Sequence, residues 1–407
     1  MLLEKAFERT IDALRQGSGI PLRVELWNGQ RFDLSRDPKV TIGIPEASAL
    51  RYFVSPDLGK LGEAFVEGHI RVEGAIGEVF SVAESIARRI AGHGRTQPRP
   101  SNGHSLERDR RAIEYHYDVS DEFYSLFLDP RMVYSCAYFA EESDSLETAQ
   151  LRKLDHILTK LRVQPGERLL DIGCGWGALV MRAAGKYGAI ATGITLSKNQ
   201  CETARRRIRD AGLADRCSVE LLDYREVAGE RVFDKIASVG MLEHVGLANL
   251  PEYFARIGSL LKDGGLSLSH GITTSDPDSH WLELGAGEFI DRYVFPDGEL
   301  PHLSLVVQHM ARAGLEVYDV ESLRRHYART CLAWSGNLER NRAHAAAIAG
   351  EKRCRIWQIY LAGCAFGFAN GWINVYQVLT GRADAAKAPG MPMTRDYMYR
   401  ASADGNP

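Results

Sequence analysis

A strand-like run that ends on closely spaced glycines, Leu169-Leu170-Asp171-Ile172-Gly173-Cys174-Gly175-Trp176-Gly177, constrains this chain more than any other feature. It leads directly into the helical spacing of Leu179 to Lys186, so the glycines fall at a strand-to-helix turn. There the backbone must bend sharply and a ligand can approach it closely. Further apolar runs follow at 190–194, 218–222, 235–239 and 266–269, separated by amphipathic stretches of helical length. Strands that alternate with helices predict a parallel sheet covered on both faces.

The flanks read differently. Leu2, Leu3, Phe7, Ile11 and Leu14 recur at helical spacing, 22–27 and 40–44 alternate as half-buried strands, Asn28-Gly29 marks a turn, and 76–90 is an amphipathic helix. These elements predict a small α+β domain over 1–90. Gly, Pro, Ser, Asn and Arg dominate 91–111, which cannot bury enough apolar surface to fold alone and reads as a flexible linker. Its arginines (Arg95, Arg99, Arg108, Arg110, Arg111) suit either a solvated tether or lipid headgroups. The strand-and-helix block then spans 112–400. Within it, turn formers and aromatics make 276–302 a candidate helical lid, and the apolar stretch Ile356 to Leu379 reads as a buried helical segment.

A length of 407 residues with 45% hydrophobic content supports two or three domains. The 50 basic and 53 acidic residues leave a formal charge of -3, so nothing global draws the chain to nucleic acid. Its seven cysteines are scattered without a CxxC pair, which argues against a zinc site and for a reduced, cytoplasmic compartment. Glu4 and Glu8 interrupt any signal-peptide core, and no run approaches the roughly 20 apolar residues of a membrane span. A membrane partner would be met from the side, by transient association at the inner face.

The glycine loop alone does not choose its ligand. Ala178 completes a GxGxxA pattern compatible with a dinucleotide, but the second strand ends Ile194-Thr195-Leu196-Ser197, without the carboxylate that an NAD site places on the ribose. NAD is disfavoured, NADP less firmly. Asp171 resembles the acid that methyltransferases of this fold set near the donor's aminopropyl group, and Asp223 ends the third strand, where a carboxylate or its neighbour can meet an adenine edge.

Six separate segments make the resemblance close: Tyr115-His116-Tyr117-Asp118-Val119-Ser120, Tyr134-Ser135-Cys136-Ala137-Tyr138, the glycine loop, Gly193 to Ser197 with Gln200, Glu243-His244-Val245-Gly246, and Phe295-Pro296-Asp297-Gly298-Glu299-Leu300-Pro301. From about Tyr115 to Arg382 the sequence resembles the cyclopropane-fatty-acid-synthase family, which includes the mycolic acid cyclopropane synthases. The resemblance implies a Rossmann-like class I methyltransferase fold with a seven-stranded mixed sheet and a lid. It also implies S-adenosylmethionine as donor, held by Tyr117, Tyr134, Ser135, Gly173, Gly175, Gly177, Thr195, Leu196 and Gln200, with Tyr224 and Arg225 beside the adenine.

Members of that family methylate a carbon of an isolated cis double bond in a lipid acyl chain. An alkene has no proton to lose before it attacks, so no base is needed to activate it. The carbocation that follows must be kept from water, and one base must take a proton from the new methyl group for the ring to close. In relatives the positions matching Cys136, Glu243, His270 and Tyr327 surround a bicarbonate ion that serves as this base, with a backbone amide contribution at Ile272. Taken singly, Cys136 is equally a core cysteine, His270 a structural histidine at a strand end and Tyr327 a half-buried tyrosine. Glu243 stands out because it lies just past the fourth strand, at the edge where open α/β sheets bind ligands. Cys364 matches a cysteine sometimes given a catalytic role; its apolar surroundings predict an inert packing residue. Tyr293, Phe295, Phe366, Phe368 and Trp372 are candidates for an acyl tunnel or for ordinary core.

One departure stands out. Many bacterial synthases continue the fifth strand as His-Thr-Ile-Gly, whereas this chain reads His270-Gly271-Ile272-Thr273-Thr274. That leaves open a cyclopropane, a methyl, a methylene or a furan-precursor product. A soluble small-molecule acceptor and a non-catalytic binding protein are the other readings. The expected partners are unsaturated phospholipid acyl chains at a membrane surface, with no metal and no nucleic acid. A homodimer is suggested by analogy only.

Overall fold

The computed structural model describes residues 2–16, 19–54, 56–90, 120–277, 286–294, 298–382 and 390–399. The expected linker, Tyr117 and Phe295 lie outside them, as do parts of the expected lid. The described residues form two compact units.

One unit gathers residues 2–90 with 286–294 and 335–370. Its four-stranded sheet has the order β2-β1-β3-β4, built from β1 (Leu22–Leu26), β2 (Arg31–Asp33), β3 (Val40–Ile44) and β4 (Arg71–Glu73). β1 and β3 alternate buried and half-buried positions, as a sheet with one covered face requires. Helices Leu2–Arg15 and Ile76–Ile90 bring Phe7, Ile11, Val82 and Ile86 into the core with Val24 and Ile42. The sequence reading anticipated both helices but not the helix Leu58–Val66. Helix Ala286–Tyr293 carries Phe289 onto Gly62, where a Cβ would meet the Phe289 ring at 2.9 Å. Phe366, on helix Glu351–Ala369, stacks on Phe80 at 5.8 Å.

The other unit holds a seven-stranded mixed sheet of order β10-β11-β9-β8-β5-β6-β7. The strands are β5 (Arg168–Ile172), β6 (Ile190–Thr195), β7 (Cys217–Leu221), β8 (Phe233–Val239), β9 (Leu261–Thr274), β10 (Leu315–Ser322) and β11 (Ile373–Arg382). β5 to β9 run parallel, and β11 lies antiparallel to both β9 and β10. The continuous apolar run of β5 fits a central strand buried on both faces. From β5 the chain builds outward through β6 and β7, then crosses back to β8 and β9 on the other side. The order therefore reverses between β5 and β8, and a crevice opens beyond the carboxyl ends of these strands.

One sequence expectation is corrected. The stretch Ile356 to Leu379 is not one helical segment: helix Glu351–Ala369 ends at Asn370-Gly371 and the chain continues as β11. Ile373, Val375, Val378 and Leu379 are buried in the sheet, so the apolar run does not distinguish strand from helix by period. No helix among the described residues is long and apolar enough to cross a membrane.

Candidate active site

The glycine loop leaves β5 at the reversal of strand order. Gly173 and Cys174 both donate their N–H to Ile194 O, each at 2.9 Å, which fastens the loop to the neighbouring strand. Gly173 has a left-handed φ of 78°, which strains any other residue, and a Cβ there would lie 2.5 Å from Met241 Sδ and would have to displace that side chain. Gly177 caps the helix Ala178–Tyr187.

Around this loop lies a cleft lined by Tyr134, Ser135, Lys153, Asp171, Thr195, Leu196, Gln200, Asp223, Tyr224 and Arg225. Gly173 and Gly175 form its floor. Gly177 is not among its lining residues.

Each wall has a physical cause. Ser197 caps helix Lys198–Asp210 by accepting from Gln200 N, and Thr195 Oγ1 donates to Gln200 Oε1 at 3.0 Å, so strand end and helix start are locked together. Asp223 accepts from Arg225 N, Nε and a terminal guanidinium nitrogen at 2.8–2.9 Å. Carboxylate oxygens keep further lone pairs, so this pairing orients Asp223 without exhausting it. The Arg225 guanidinium also sits 5.1 Å from the Tyr224 ring centre.

Asp171 is 2% exposed and its Oδ1 has no hydrogen-bond partner. Burial pushes its carboxyl up to about 7, with the Lys153 ammonium pulling the other way. A buried acid of this kind suits a cationic ligand group. Together with the side-chain-free floor of the loop, it fits the amino-acid end of an adenosyl donor.

A second, drier cluster adjoins the cleft. β8 ends beside β9, with Val239 paired to His270, and Gly240 N donates to His270 O at 2.8 Å. The short helix Leu242–Val245 then turns Glu243 back, so that its Oε1 accepts from Ile272 N at 2.7 Å. Glu243 Oε2 and His270 Nε2 are buried without a partner. Burial raises the Glu243 carboxyl to about 7 and lowers the His270 imidazole to about 3, so the ring is neutral. On its other nitrogen, His270 Nδ1 lies 3.2 Å from Gln377 Nε2, across the β9–β11 ladder where the two residues face each other.

Tyr327 and Cys136 complete the cluster. The Tyr327 hydroxyl is held well above its ordinary value by burial, and the charges of Glu243, Cys136 and Tyr134 act on it. Burial likewise raises the Cys136 thiol, whose Sγ donates to Ala137 O at 3.2 Å. Aromatic rings wall this region: Tyr134 packs on Tyr124 and Trp334 at 5.5 and 5.3 Å, and Tyr327 on Trp334 at 6.0 Å.

The structure thus brings Tyr134, Ser135, Asp171, Gly173, Gly175, Thr195, Leu196, Gln200, Asp223, Tyr224 and Arg225 to one cleft. It groups Cys136, Glu243, His270, Ile272 and Tyr327 beside it. The Ile272 N–H is donated to Glu243 Oε1 at 2.7 Å, which fixes this backbone amide beside the carboxylate. Cys364 lies in the other compact unit, half-buried on helix Glu351–Ala369, and burial lifts its thiol to about 12.

Sequence reading missed several positions. Asp121 accepts from Trp176 Nε1, Asn199 Nδ2 and Thr203 Oγ1 at 2.7–2.8 Å, tying the glycine loop to helix Lys198–Asp210. Gln377 and Lys153 carried no motif; Gln377 stands out only as a polar residue between Tyr376 and Val378, and Lys153 sits in a mixed, charged stretch that gives no signal. Among the described residues no group of three or more His, Cys, Asp or Glu could hold a metal ion.

Comparison with known proteins agrees with this architecture. Residues 104–378 match the family described as mycolic acid cyclopropane synthetase, and residues 11–91 match a domain of unknown function. A probable fatty acid methyltransferase of Pseudomonas putida is 48% identical over 95% of this chain and 98% of its own length. Cyclopropane mycolic acid synthase 1 of Mycobacterium tuberculosis is 38% identical over 65% of this chain and 94% of its own. The solved structure of mycolic acid cyclopropane synthase CmaA1, complexed with SAH and CTAB, superposes with a TM-score of 0.64 at 36% identity, covering 67% of this chain and 97% of that one. With its reversed-order sheet, glycine-floored cleft and the match across residues 104–378, the chain belongs to the mycolic acid cyclopropane synthetase family.

Proposed function

We propose that this chain is an S-adenosylmethionine-dependent enzyme that adds a methylene unit across the cis double bond of unsaturated phospholipid acyl chains. The observation that carries the reading is the pair of unpartnered buried atoms, Glu243 Oε2 and His270 Nε2, set among aromatic rings beside the donor cleft. An amine or hydroxyl acceptor would also use a base, but its proton can leave to water; a base held in a dry pocket walled by aromatic rings suits a cation that water would quench. An alkene acceptor gives such a cation.

Bound S-adenosylmethionine would supply the methyl group, and bound bicarbonate the base that takes the proton. The chain's own residues do the rest. Asp171 meets the positive end of the donor, and the glycine floor admits its adenosyl part without side-chain obstruction. Glu243, His270 and Tyr327 offer one acceptor and two donors to a small oxyanion, enough to hold it in a pocket otherwise apolar. Tyr134, Tyr327 and Trp334 exclude water from the cation that forms on the acyl chain, and each ring face contributes about 1 to 2 kcal/mol when desolvated.

Purified protein, S-adenosylmethionine and vesicles of cis-monounsaturated phospholipid are expected to give acyl chains heavier by one CH₂ unit. The rate should fall when bicarbonate is stripped from the buffer and recover when it is restored. Methyl transfer to soluble amines without vesicles, and none to lipid, would overturn the reading.

The name of the Pseudomonas putida relative, a probable fatty acid methyltransferase, favours a second reading in which the same cluster ends the reaction with an open methyl or methylene branch. The acceptor and donor are then unchanged. A methyl branch forms if the proton leaves a neighbouring chain carbon, which keeps a double bond; a methylene branch forms if a hydride first shifts to the cationic carbon and the methyl then loses its proton.

A further inference from the structure

Helix Leu146–Lys160 faces the cleft with two polar side chains one turn apart, Gln150 and Lys153. Both are buried, at 0% and 2% exposure. Gln150 Nε2 donates to Val133 O and Ser135 O at 3.3 and 2.9 Å, so Gln150 already satisfies the backbone carbonyls on either side of Tyr134. Lys153 Nζ is left for the side chain, and it donates to Ser135 Oγ at 2.9 Å. A lysine is an expensive way to anchor a serine hydroxyl, because a buried ammonium must be compensated.

Compensation by the protein is partial. The charged and titratable groups acting on Lys153 are Cys136, Asp129 and Asp171, with His270 also within its field. Cys136 is an un-ionised thiol at neutral pH, Asp129 already accepts from Arg131 N and Val133 N, and Asp171 is itself a buried acid near half-ionisation. Burial lowers the Lys153 ammonium to about 8. Lys153, Ser135 and Asp171 all line the same cleft, so it offers a cation and an anion at the place where the glycine loop begins. Because the ammonium donates to Ser135 Oγ, the serine's own hydrogen is turned away from Lys153 and is free to be donated.

We propose that Lys153, together with the Ser135 hydroxyl it orients, binds the carboxylate of the methyl donor's amino-acid end while Asp171 takes the ammonium, so that the pair reads that end as a zwitterion. This rests on the reading of the cleft as the donor site and adds the residue that selects for an intact amino acid. The ligand itself completes the charge balance that the protein leaves open.

The test compares three ligands by calorimetry on the full-length protein: S-adenosylhomocysteine, its decarboxylated analogue, and methylthioadenosine, which lacks the whole amino-acid end. In Lys153→Met, affinity for S-adenosylhomocysteine should fall by at least about tenfold, while the decarboxylated analogue and methylthioadenosine stay within about twofold of wild type. Equal losses for all three ligands would make Lys153 a packing residue and overturn the proposal, as would no loss at all. If the variant does not fold, the wild-type protein decides. Raising the pH from about 7 to about 9 discharges Lys153 and should weaken S-adenosylhomocysteine relative to the decarboxylated analogue. A constant ratio would overturn the proposal. Failure of wild-type protein to bind any of the three would instead remove the donor-site reading beneath it.

Discussion

Glu243 Oε1 accepts the Ile272 amide hydrogen at 2.7 Å, which ties the turn after β8 to the end of β9 and leaves Oε2 as an unpartnered buried acceptor. Position and chemistry are thereby separated within one carboxylate. Glu243→Gln keeps the shape and can keep the Ile272 bond through its amide oxygen, but it presents a donor where an acceptor stood. Turnover of unsaturated lipid should drop by at least about a hundredfold, as for loss of a positioned acid or base, with affinity for S-adenosylhomocysteine within about twofold of wild type. Because burial places the Glu243 carboxyl at about 7, turnover should rise as pH increases through that value. Parallel calorimetry and a pH–rate profile check both.

Gly271 explains itself in the structure. A Cβ there would lie 2.6 Å from Leu242 Cδ1 and 2.8 Å from its Cβ and Cγ, so Leu242 occupies the space a side chain would need. Leu242 precedes Glu243 directly. Gly271→Thr should therefore displace Leu242, misplace Glu243 and cost about 1 to 3 kcal/mol of stability from overpacking. Urea unfolding measures the cost. Mass spectrometry of the acyl products should show lower yield with a changed product ratio.

Gln377 acts on His270 from behind. With its amide nitrogen 3.2 Å from Nδ1, the neutral ring carries its hydrogen on Nε2, the atom turned toward the cluster. Gln377→Met should release the tautomer and lower kcat by about tenfold, the size of one hydrogen bond, with KM for the donor unchanged. Nitrogen NMR of the histidine ring would show the shift from one tautomer to a mixture.

A buried network whose charges also act on His270 governs acid stability. Glu321 accepts from His156 Nε2 at 2.8 Å and from fully buried Lys160 at 2.5 Å, which holds its carboxyl near 2 despite burial. A depressed carboxyl contributes its stability above the unfolded value and loses it as pH falls toward the folded one. Stability should thus decline as pH falls below about 4.5 toward 2. His270, lowered to about 3, adds loss in the same direction as pH falls below about 6.5. Glu321→Gln should cost about 3 kcal/mol at neutral pH by leaving part of the buried Lys160 charge uncompensated, and should flatten the acid limb. Chemical unfolding across a pH series measures both effects.

The sheet was legible because β5, β6 and β8 are apolar runs bounded by glycine or polar residues, and the glycine loop marks the one place where the order can reverse. β11 was not. Buried between β9 and β10, it carries polar residues on both faces, Gln377 on one and Asn374 and Thr380 on the other, so no clean alternation separates it from the helix before it; the Asn370-Gly371 break was the available signal. Glu243 was legible from its place after a strand, since carboxyl-edge position is a property of order along the chain. Lys153, Gln377 and Asp121 were not, because each acts through a partner from another element: Lys153 on Ser135, Gln377 on His270, Asp121 on Trp176. Such pairings exist only after the strands have been placed side by side.

The product's own structure tests the central claim most directly. Full-length protein, S-adenosylmethionine and cis-monounsaturated phospholipid vesicles should yield fatty acids one CH₂ unit heavier whose proton NMR shows the shielded methylene signals of a cyclopropane ring and no new olefinic protons. The same mass with vinylidene protons, or with a methyl branch beside a retained double bond, would contradict ring closure at the Glu243–His270 cluster and leave the chain a methylating enzyme of another outcome.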